Sequence, residues 1–176
     1  MWISRIAKLV IALGTFVLFC ATATYLFKDT YNRYTGNTTG ECLLVAPYKD
    51  INYKVFGMVF EPNLAVPVFT KNGIKKVEFL VDSGAVVSTI PKSIADEVYG
   101  GEYESLERTV LRGFGGSESF GYTGTMKIKL GKDYNLDVPV VFSESDTTRA
   151  ILGRKGFMED ITTKLDHRGK SICFTK

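Results

Sequence analysis

The 176-residue sequence predicts a mostly β domain with one or two short helices, preceded by an N-terminal transmembrane helix. Valine, isoleucine and threonine recur in short runs between turn residues, and the chain holds 17 glycines, 12 phenylalanines and 9 tyrosines, which favours sheet. An uncharged apolar stretch near the start leaves about 150 residues for folded structure. We therefore expect one β-rich domain behind a membrane anchor.

The apolar stretch predicts an uncleaved anchor over residues 1–28. Residues 9–27 carry no charge, and this is about the length that crosses a bilayer as a helix. A cleavable signal peptide is the alternative, because Arg5 and Lys8 form a basic start and 21–23 resembles a small-x-small cleavage site, although the apolar run continues beyond it. The slight N-terminal bias in basic residues predicts a single-pass protein with its domain outside the cytoplasm.

The predicted domain follows a short polar stretch. Residues 29–41 are polar and punctuated by glycine, which is typical of a stalk, so we assign the domain to residues 42–176. Asn72 and Gly73 form the signal for a tight hairpin into a strand at 74–81. The β-rich runs before this hairpin are 42–47, 53–60 and 64–70.

Strand and turn signals continue to the end of the chain. Strand character resumes at 86–90, and Pro91 opens a helix that Gly100 ends. A long hairpin follows, with arms at 106–112 and 120–130 and a glycine-rich tip between them. The remaining predicted elements are a strand at 134–142, a polar loop at 143–149, a short strand at 150–154, a helical turn at 155–160 and a closing hairpin with arms at 161–166 and 171–175.

The charge balance argues against nucleic acid as a partner. The sequence has 22 basic and 19 acidic residues, and three of the basic residues, Arg5, Lys8 and Lys28, flank the apolar segment. Without these three, basic and acidic residues are equal in number. The domain is therefore neutral and lacks the basic surface that a polyphosphate requires.

The three cysteines show no spacing typical of a metal site or of a disulfide framework. Cys20 falls in the apolar segment. Cys42 and Cys173 lie near opposite ends of the domain, where sheet termini often meet. We expect two ordinary half-buried thiols, with a disulfide as the alternative in an oxidising compartment.

Elimination leaves a carboxylate as the candidate catalytic group. His167 is the only histidine in the sequence and lies in a predicted polar turn, which gives serine chemistry a poor base and zinc no ligand cluster. The glycine-rich tip lacks the Lys-Ser/Thr of a phosphate-binding loop. Asp82 ends an apolar strand in an Asp-Ser-Gly turn, and with a second carboxylate it could activate water without a metal or cofactor. An ordinary turn, in which Asp82 bonds to backbone amides, is the alternative.

Three segments occur in an order that resembles the retropepsin-like aspartic proteases. They are Phe79-Leu80-Val81-Asp82-Ser83-Gly84-Ala85, then Arg112-Gly113-Phe114-Gly115-Gly116, then Ile151-Leu152-Gly153-Arg154. The resemblance covers about 42–176 and implies a small closed β-barrel with a glycine-rich flap. It also implies an aspartic endopeptidase, here a membrane-anchored member with a single lobe.

The resemblance implies a role for each residue of these segments. Asp82 is the catalytic residue, and the other implied roles are active-site loop support for Ser83, Gly84 and Ala85, a substrate-binding flap for Gly113, Phe114, Gly115 and Gly116, and structural support for Ile151, Leu152 and Gly153. The chain has no second Asp-Ser/Thr-Gly, so a homodimer would supply the other Asp82 for a peptide or protein substrate. No metal or cofactor is implied.

Two other functions fit the same residues. A retropepsin-like domain without turnover would be a peptide-binding or dimerisation module at the membrane. Replacement of Asp82 by Asn or Ala separates that module from an enzyme. An unrelated β-rich extracytoplasmic domain, in which Asp82 only stabilises a turn, would stay monomeric at high concentration.

Overall fold

The computed structural model describes residues 20–24 and 41–176. The first of these segments is helical and falls within the predicted anchor, while the rest of the anchor and nearly all of the predicted stalk lie outside the described residues. No helix among the described residues is long and apolar enough to span a membrane. The strands belong to one compact unit, Gly40–Lys176.

Residues 41–176 fold mostly into β-strands, as the sequence predicts. The strands are β1 Leu44–Pro47, β2 Lys49–Tyr53, β3 Gly57–Glu61, β4 Asn63–Thr70, β5 Gly73–Val81, β6 Ser88–Ile90, β7 Arg108–Arg112, β8 Glu118–Leu130, β9 Tyr134–Ser143, β10 Ile151–Leu152, β11 Thr162–Asp166 and β12 Ser171–Thr175. The helical elements are α1 Lys92–Tyr99 and short turns at Glu102–Ser105, Phe114–Gly116 and Arg154–Met158. The predicted hairpins connect β4 to β5, β7 to β8 and β11 to β12.

Six strands close into a barrel in the order β4, β5, β10, β6, β9, β8. The barrel closes because β8 pairs back onto β4, with Ile128 opposite Val68. Strand β7 pairs with the first part of β8, from Glu118 to Tyr122, so the β7–β8 hairpin extends past the point of closure. The closed β-barrel that the sequence predicts is confirmed.

Alternating side chains fill the barrel interior. In β5, Val77, Phe79 and Val81 are buried, whereas Glu78 between them is exposed. Each buried apolar side chain stabilises the fold by about 1.5–3 kcal/mol. Because a slip of one residue would turn this apolar set outwards, the pattern fixes the register of β5. That register places Asp82 at the first position after the strand.

Helix α1 packs one face against the barrel core. It follows Pro91, whose extended backbone precedes the first turn, and it ends at Gly100 with a left-handed φ of 71°. Ala95 is buried, and Ile94 and Val98 contact the core. The helix that the sequence predicts after Pro91 is therefore confirmed.

The β2–β3 hairpin replaces the single strand predicted at 53–60. Residues 54–56 form a turn, after which Gly57 has a φ of 70°. The two strands pair with each other in a sheet of their own. The prediction was wrong because the turn and its flanks carry exposed apolar side chains, which give no polar turn signal. These side chains are Val55, Phe56, Met58 and Phe60.

The two ends of the domain meet in a three-stranded sheet in which β12 lies between β1 and β11. At its edge, the amide of Leu43 donates to the carbonyl of Phe174 at 2.7 Å. This pairing brings Cys42 and Cys173 to a Cα–Cα distance of 5.7 Å, and they form a disulfide. The expectation of two free thiols was wrong because strand pairing joins positions 131 residues apart.

Candidate active site

Asp82 begins a tight turn at the end of β5. Its amide donates to the carbonyl of Leu152 at 3.0 Å, and its carbonyl accepts a hydrogen bond from the Ala85 amide at 3.2 Å. The amide of Gly84 donates to Oδ1 of the Asp82 carboxylate at 2.8 Å. The side chain is half-buried. The turn therefore orients the carboxylate through a backbone donor and keeps it accessible.

The residues after β10 hold the other end of the Asp82 loop. The amide of Arg154 donates to the Ala85 carbonyl at 3.0 Å. The amide of Gly153 donates to the fully buried hydroxyl of Ser88 at 3.1 Å. Together with the bond from Asp82 to Leu152, these contacts fix the loop on both sides.

A cleft of about 820 Å³ opens over the Asp82 loop. Its walls come from the loop, from strand β7 and from the segment before β10. Asp82 is the one acidic residue that lines this cleft within the described part of the chain. In the same part, no three His, Cys, Asp or Glu side chains cluster closely enough to hold a metal ion. The chemistry that this arrangement offers is acid–base catalysis by a carboxylate.

The structure brings several of the predicted site residues to one cleft. The predicted residues that line the cleft with Asp82 are Gly84, Ala85, Gly113 and Ile151. Ser83 instead lines a neighbouring pocket with Val86. Leu152 and Gly153 are buried, and the backbone of Phe114, Gly115 and Gly116 forms the tip of the β7–β8 hairpin.

Glycines shape the tip of the β7–β8 hairpin. Gly115 and Gly116 have φ values of 75° and 78°, which favour glycine over residues with a side chain. The amide of Gly113 donates to the Ser117 carbonyl at 2.8 Å and closes the tip. The hairpin therefore ends in a tight turn whose backbone can approach a ligand closely.

Thr148 and Arg149 also line the cleft, although no sequence pattern pointed to them. Both lie in the stretch that the sequence identified only as a polar loop. The Arg149 guanidinium donates through Nη2 to Oδ1 of Asn63 at 3.0 Å and to the Glu61 carboxylate. Because Glu61 is 88 residues away along the chain, no local pattern could have paired them.

The Glu61–Arg149 ion pair connects the cleft wall to the β2–β3 hairpin. The hydrogen bond from Arg149 holds the pKa of Glu61 below its ordinary value, and Glu61 in turn raises the pKa of Arg149. The hydroxyl of Tyr53 also donates to Glu61, and this bond raises the pKa of Tyr53. At neutral pH the pair is therefore a carboxylate and a guanidinium, with a neutral tyrosine beside them.

A closed six-stranded barrel with an Asp-Ser-Gly loop in a cleft, beside a glycine-tipped hairpin, defines a retropepsin-like aspartic protease. A family model described as "gag-polyprotein putative aspartyl protease" matches residues 69–158, which are 90 of the 176 residues. The chain belongs to this family. No curated protein matches it.

The solved structures that are similar to the chain include two proteases. One is the crystal structure of a retropepsin-like aspartic protease from Rickettsia conorii, which is 20% identical with a TM-score of 0.46, over 75% of this chain and 92% of that one. The other is the EIAV protease complexed with the inhibitor HBY-793, which is 19% identical with a TM-score of 0.38, over 62% of this chain and 93% of that one.

Proposed function

We propose that the chain is an aspartic endopeptidase whose two catalytic carboxylates are the Asp82 side chains of a homodimer. The observation that carries this proposal is the position of Asp82, which is the one acidic residue lining the cleft within residues 41–176. Hydrolysis by a carboxylate pair needs a second acid, and a twofold axis supplies the same residue from a second copy. The family match supports the reaction class.

In this mechanism the two Asp82 carboxyl groups hold one proton between them. Two carboxylates in contact do not both ionise readily, so one stays protonated. The ionised Asp82 takes a proton from a bound water, which attacks the carbonyl carbon of the scissile peptide bond. The protonated Asp82 donates to the carbonyl oxygen, and a tetrahedral diol forms. As the diol collapses, the Asp82 that took the proton from water gives it to the amide nitrogen, and the other Asp82 takes a proton from a diol hydroxyl. The C–N bond breaks, the amine and the carboxylic acid are released, and one carboxyl group of the pair is again protonated.

Neighbouring residues position the reacting groups. The amide of Gly84 already donates to Oδ1 of Asp82, which orients the carboxylate before substrate arrives. Ser83 is exposed beside Asp82 and, in the dimer, would bond across the axis to the partner subunit. The hairpin tip at 113–116 would close over an extended peptide and exclude water.

We assign the protein to a membrane, with residues 1–28 as anchor and the domain on the extracytoplasmic side. The disulfide between Cys42 and Cys173 supports this side, because such bonds persist in oxidising compartments. Anchoring confines both subunits to two dimensions and raises their effective concentration, which favours the dimer. In sealed right-side-out vesicles, whose outer face is the extracytoplasmic one, a membrane-impermeant lysine reagent should label the domain from outside. Labelling that requires detergent would contradict this orientation.

The protease assignment is tested by incubating the full chain, in detergent, with a diverse peptide library across pH. Wild type is compared with Asp82→Asn and Asp82→Ala. The matched control is Asp133→Asn, since Asp133 is exposed in the turn between β8 and β9. We expect both Asp82 variants to lose every cleavage and the control to keep them. Cleavage that is unchanged in Asp82→Ala would contradict the protease assignment. If an Asp82 variant keeps the protein's function in cells without any proteolysis, the catalytically silent peptide-binding module is favoured instead.

A further inference from the structure

Arg149 presents a positive charge in the cleft that the proposed mechanism does not use. It lines the same cleft as Asp82, and its side chain is 45% exposed. Its partner Glu61 is only 12% exposed and does not contribute to the lining. The carboxylate of this ion pair therefore lies behind the guanidinium, and the cation is the member of the pair that a ligand meets.

Contacts on several sides hold the Arg149 guanidinium in place. Nη2 donates to Asn63, which is 7% exposed, and to Glu61. Asn63 also donates to Glu61 at 3.1 Å, and the Thr89 hydroxyl donates to the Arg149 carbonyl at 2.9 Å. A guanidinium carries five N–H donors. Nη2 of Arg149 donates to Asn63 and Glu61, and a further hydrogen bond joins the guanidinium to the Tyr53 hydroxyl. The other donors remain for a ligand carboxylate.

The charges that line the cleft favour an anion. Among residues 20–24 and 41–176, the ionisable residues that line the cleft are Asp82, Arg112 and Arg149, which amounts to two guanidiniums against one carboxylate. In the dimer, four guanidiniums would surround a carboxyl pair that shares a proton. Arg112 is 79% exposed and pairs with Glu118 at 3.3 Å, so solvent weakens its effect more than that of Arg149.

We propose that Arg149 is a specificity-determining residue that selects peptides with an aspartate or glutamate near the scissile bond. This inference rests on the proposed function, because the cleft must accept a peptide. The peptide carboxylate accepts hydrogen bonds from the free donors of Arg149, while Glu61 and Asn63 keep the guanidinium from turning away. Since Glu61 offsets part of the charge, we expect a preference of about tenfold, the size of one charge-assisted hydrogen bond in a solvated site.

The experiment compares kcat/KM for peptide pairs that differ only by Glu or Gln, placed in turn at each position flanking the cleaved bond. In wild type, one position should give a Glu-to-Gln ratio of about ten, carried mostly by KM and falling as salt is added. In Arg149→Met the ratio should fall close to one. The matched control is Arg108→Met, which also removes an arginine paired with a glutamate, at 2.7 and 3.2 Å from Glu144, but outside the cleft lining. It should keep the wild-type ratio.

A Glu-to-Gln ratio of kcat/KM near one at every position in wild type overturns the inference. Because this measurement needs no variant, it tests the inference even if Arg149→Met does not fold. An unchanged ratio in Arg149→Met also overturns it, while the protease assignment stands. The same peptide pairs are also titrated against Asp82→Asn and followed by fluorescence anisotropy. If the Glu peptide binds more tightly than the Gln peptide but wild type cleaves neither, the proposed protease function is contradicted, whereas the preference for an acidic peptide is supported.

Discussion

Gly153 lies so close to Val87 that a methyl group on Gly153 would stand 2.6 Å from both the carbonyl carbon and the carbonyl oxygen of Val87. The same methyl group would be 3.1 Å from the Ala85 carbonyl oxygen. Both neighbours are backbone atoms of the segment that follows Asp82. The position therefore requires glycine because of space, since its φ of −94° is open to any residue.

The first prediction is that Gly153→Ala displaces the Asp82 loop. Overpacking of this kind costs about 1–3 kcal/mol in the free energy of unfolding, and peptidase activity should fall more than stability does. Urea unfolding and kcat/KM are the two measurements. The comparison variant is Gly101→Ala, where the methyl group meets open space and only the left-handed φ of 80° is strained. If Gly153→Ala keeps full activity, the close contact with Val87 is not required for the site.

The second prediction concerns subunit mixing. Asp82→Asn subunits should lower the peptidase activity of wild-type subunits, because a mixed dimer holds only one Asp82 carboxylate. When equal amounts pair at random, roughly a quarter of the dimers keep two Asp82 residues, so activity per wild-type subunit falls to about half. Asp133→Asn subunits serve as the control and should leave the peptidase activity per wild-type subunit unchanged. Activity that simply adds up in the mixture would show that one subunit suffices.

The third prediction is that the Cys42–Cys173 disulfide stabilises the domain substantially. It closes a loop with a sequence separation of 131, and cross-links of this length constrain the unfolded chain by about 3–5 kcal/mol. Cys173→Ser should therefore unfold at lower urea than wild type, and a reductant should reproduce that shift. Cys20→Ser is the control, because Cys20 is a free, exposed cysteine outside the bridge. Equal urea midpoints for Cys173→Ser and wild type would contradict the prediction.

The fourth prediction is that the Glu61–Arg149 pair makes stability fall in acid. The pKa of Glu61 is lower in the folded chain than its ordinary value of 4.5, because Arg149 donates to the carboxylate. A carboxyl of this kind adds stability above its unfolded pKa, and that stability is lost as pH falls through the folded pKa. Glu61→Gln should therefore be less stable than wild type at pH 7, and its stability should decline less steeply towards acid.

Urea unfolding at several values from about pH 3 to pH 7 measures this slope. Glu144→Gln provides the comparison, because the ion pair of Glu144 with Arg108 is more exposed to solvent and contributes little. Parallel curves for wild type and Glu61→Gln would show that the pair does not couple stability to pH.

The sequence predicted those parts of the fold and site that local pattern encodes. Alternation in β5 and the turn at 82–84 located Asp82, and Asn72-Gly73 located the hairpin before it. The closed barrel followed from the resemblance of three short segments. The catalytic role of Asp82 stays a prediction, because the structure shows its place in the cleft and not its reaction.

The features that the sequence did not predict depend mostly on contacts between residues that are far apart along the chain. Arg149 lies in a polar loop whose sequence does not indicate a role in the cleft. Its guanidinium is held in place by hydrogen bonds to Glu61 and Asn63, which lie more than 80 residues earlier in the chain. The disulfide depends on the pairing of the first and last strands. The turn at 54–56 was missed because Val55 and Phe56 are apolar and exposed, against the usual pattern of a turn.

The pairing of β1 with β12 also has a practical consequence for protein engineering. Because the first and last strands of the domain are neighbours, a short linker could join residue 176 to residue 41, and the chain could be reopened at the exposed turn 131–133 between β8 and β9. Such a circular permutant would keep every barrel strand intact. Two permuted domains could then be fused through the new ends, which would place two Asp82 loops in one continuous polypeptide.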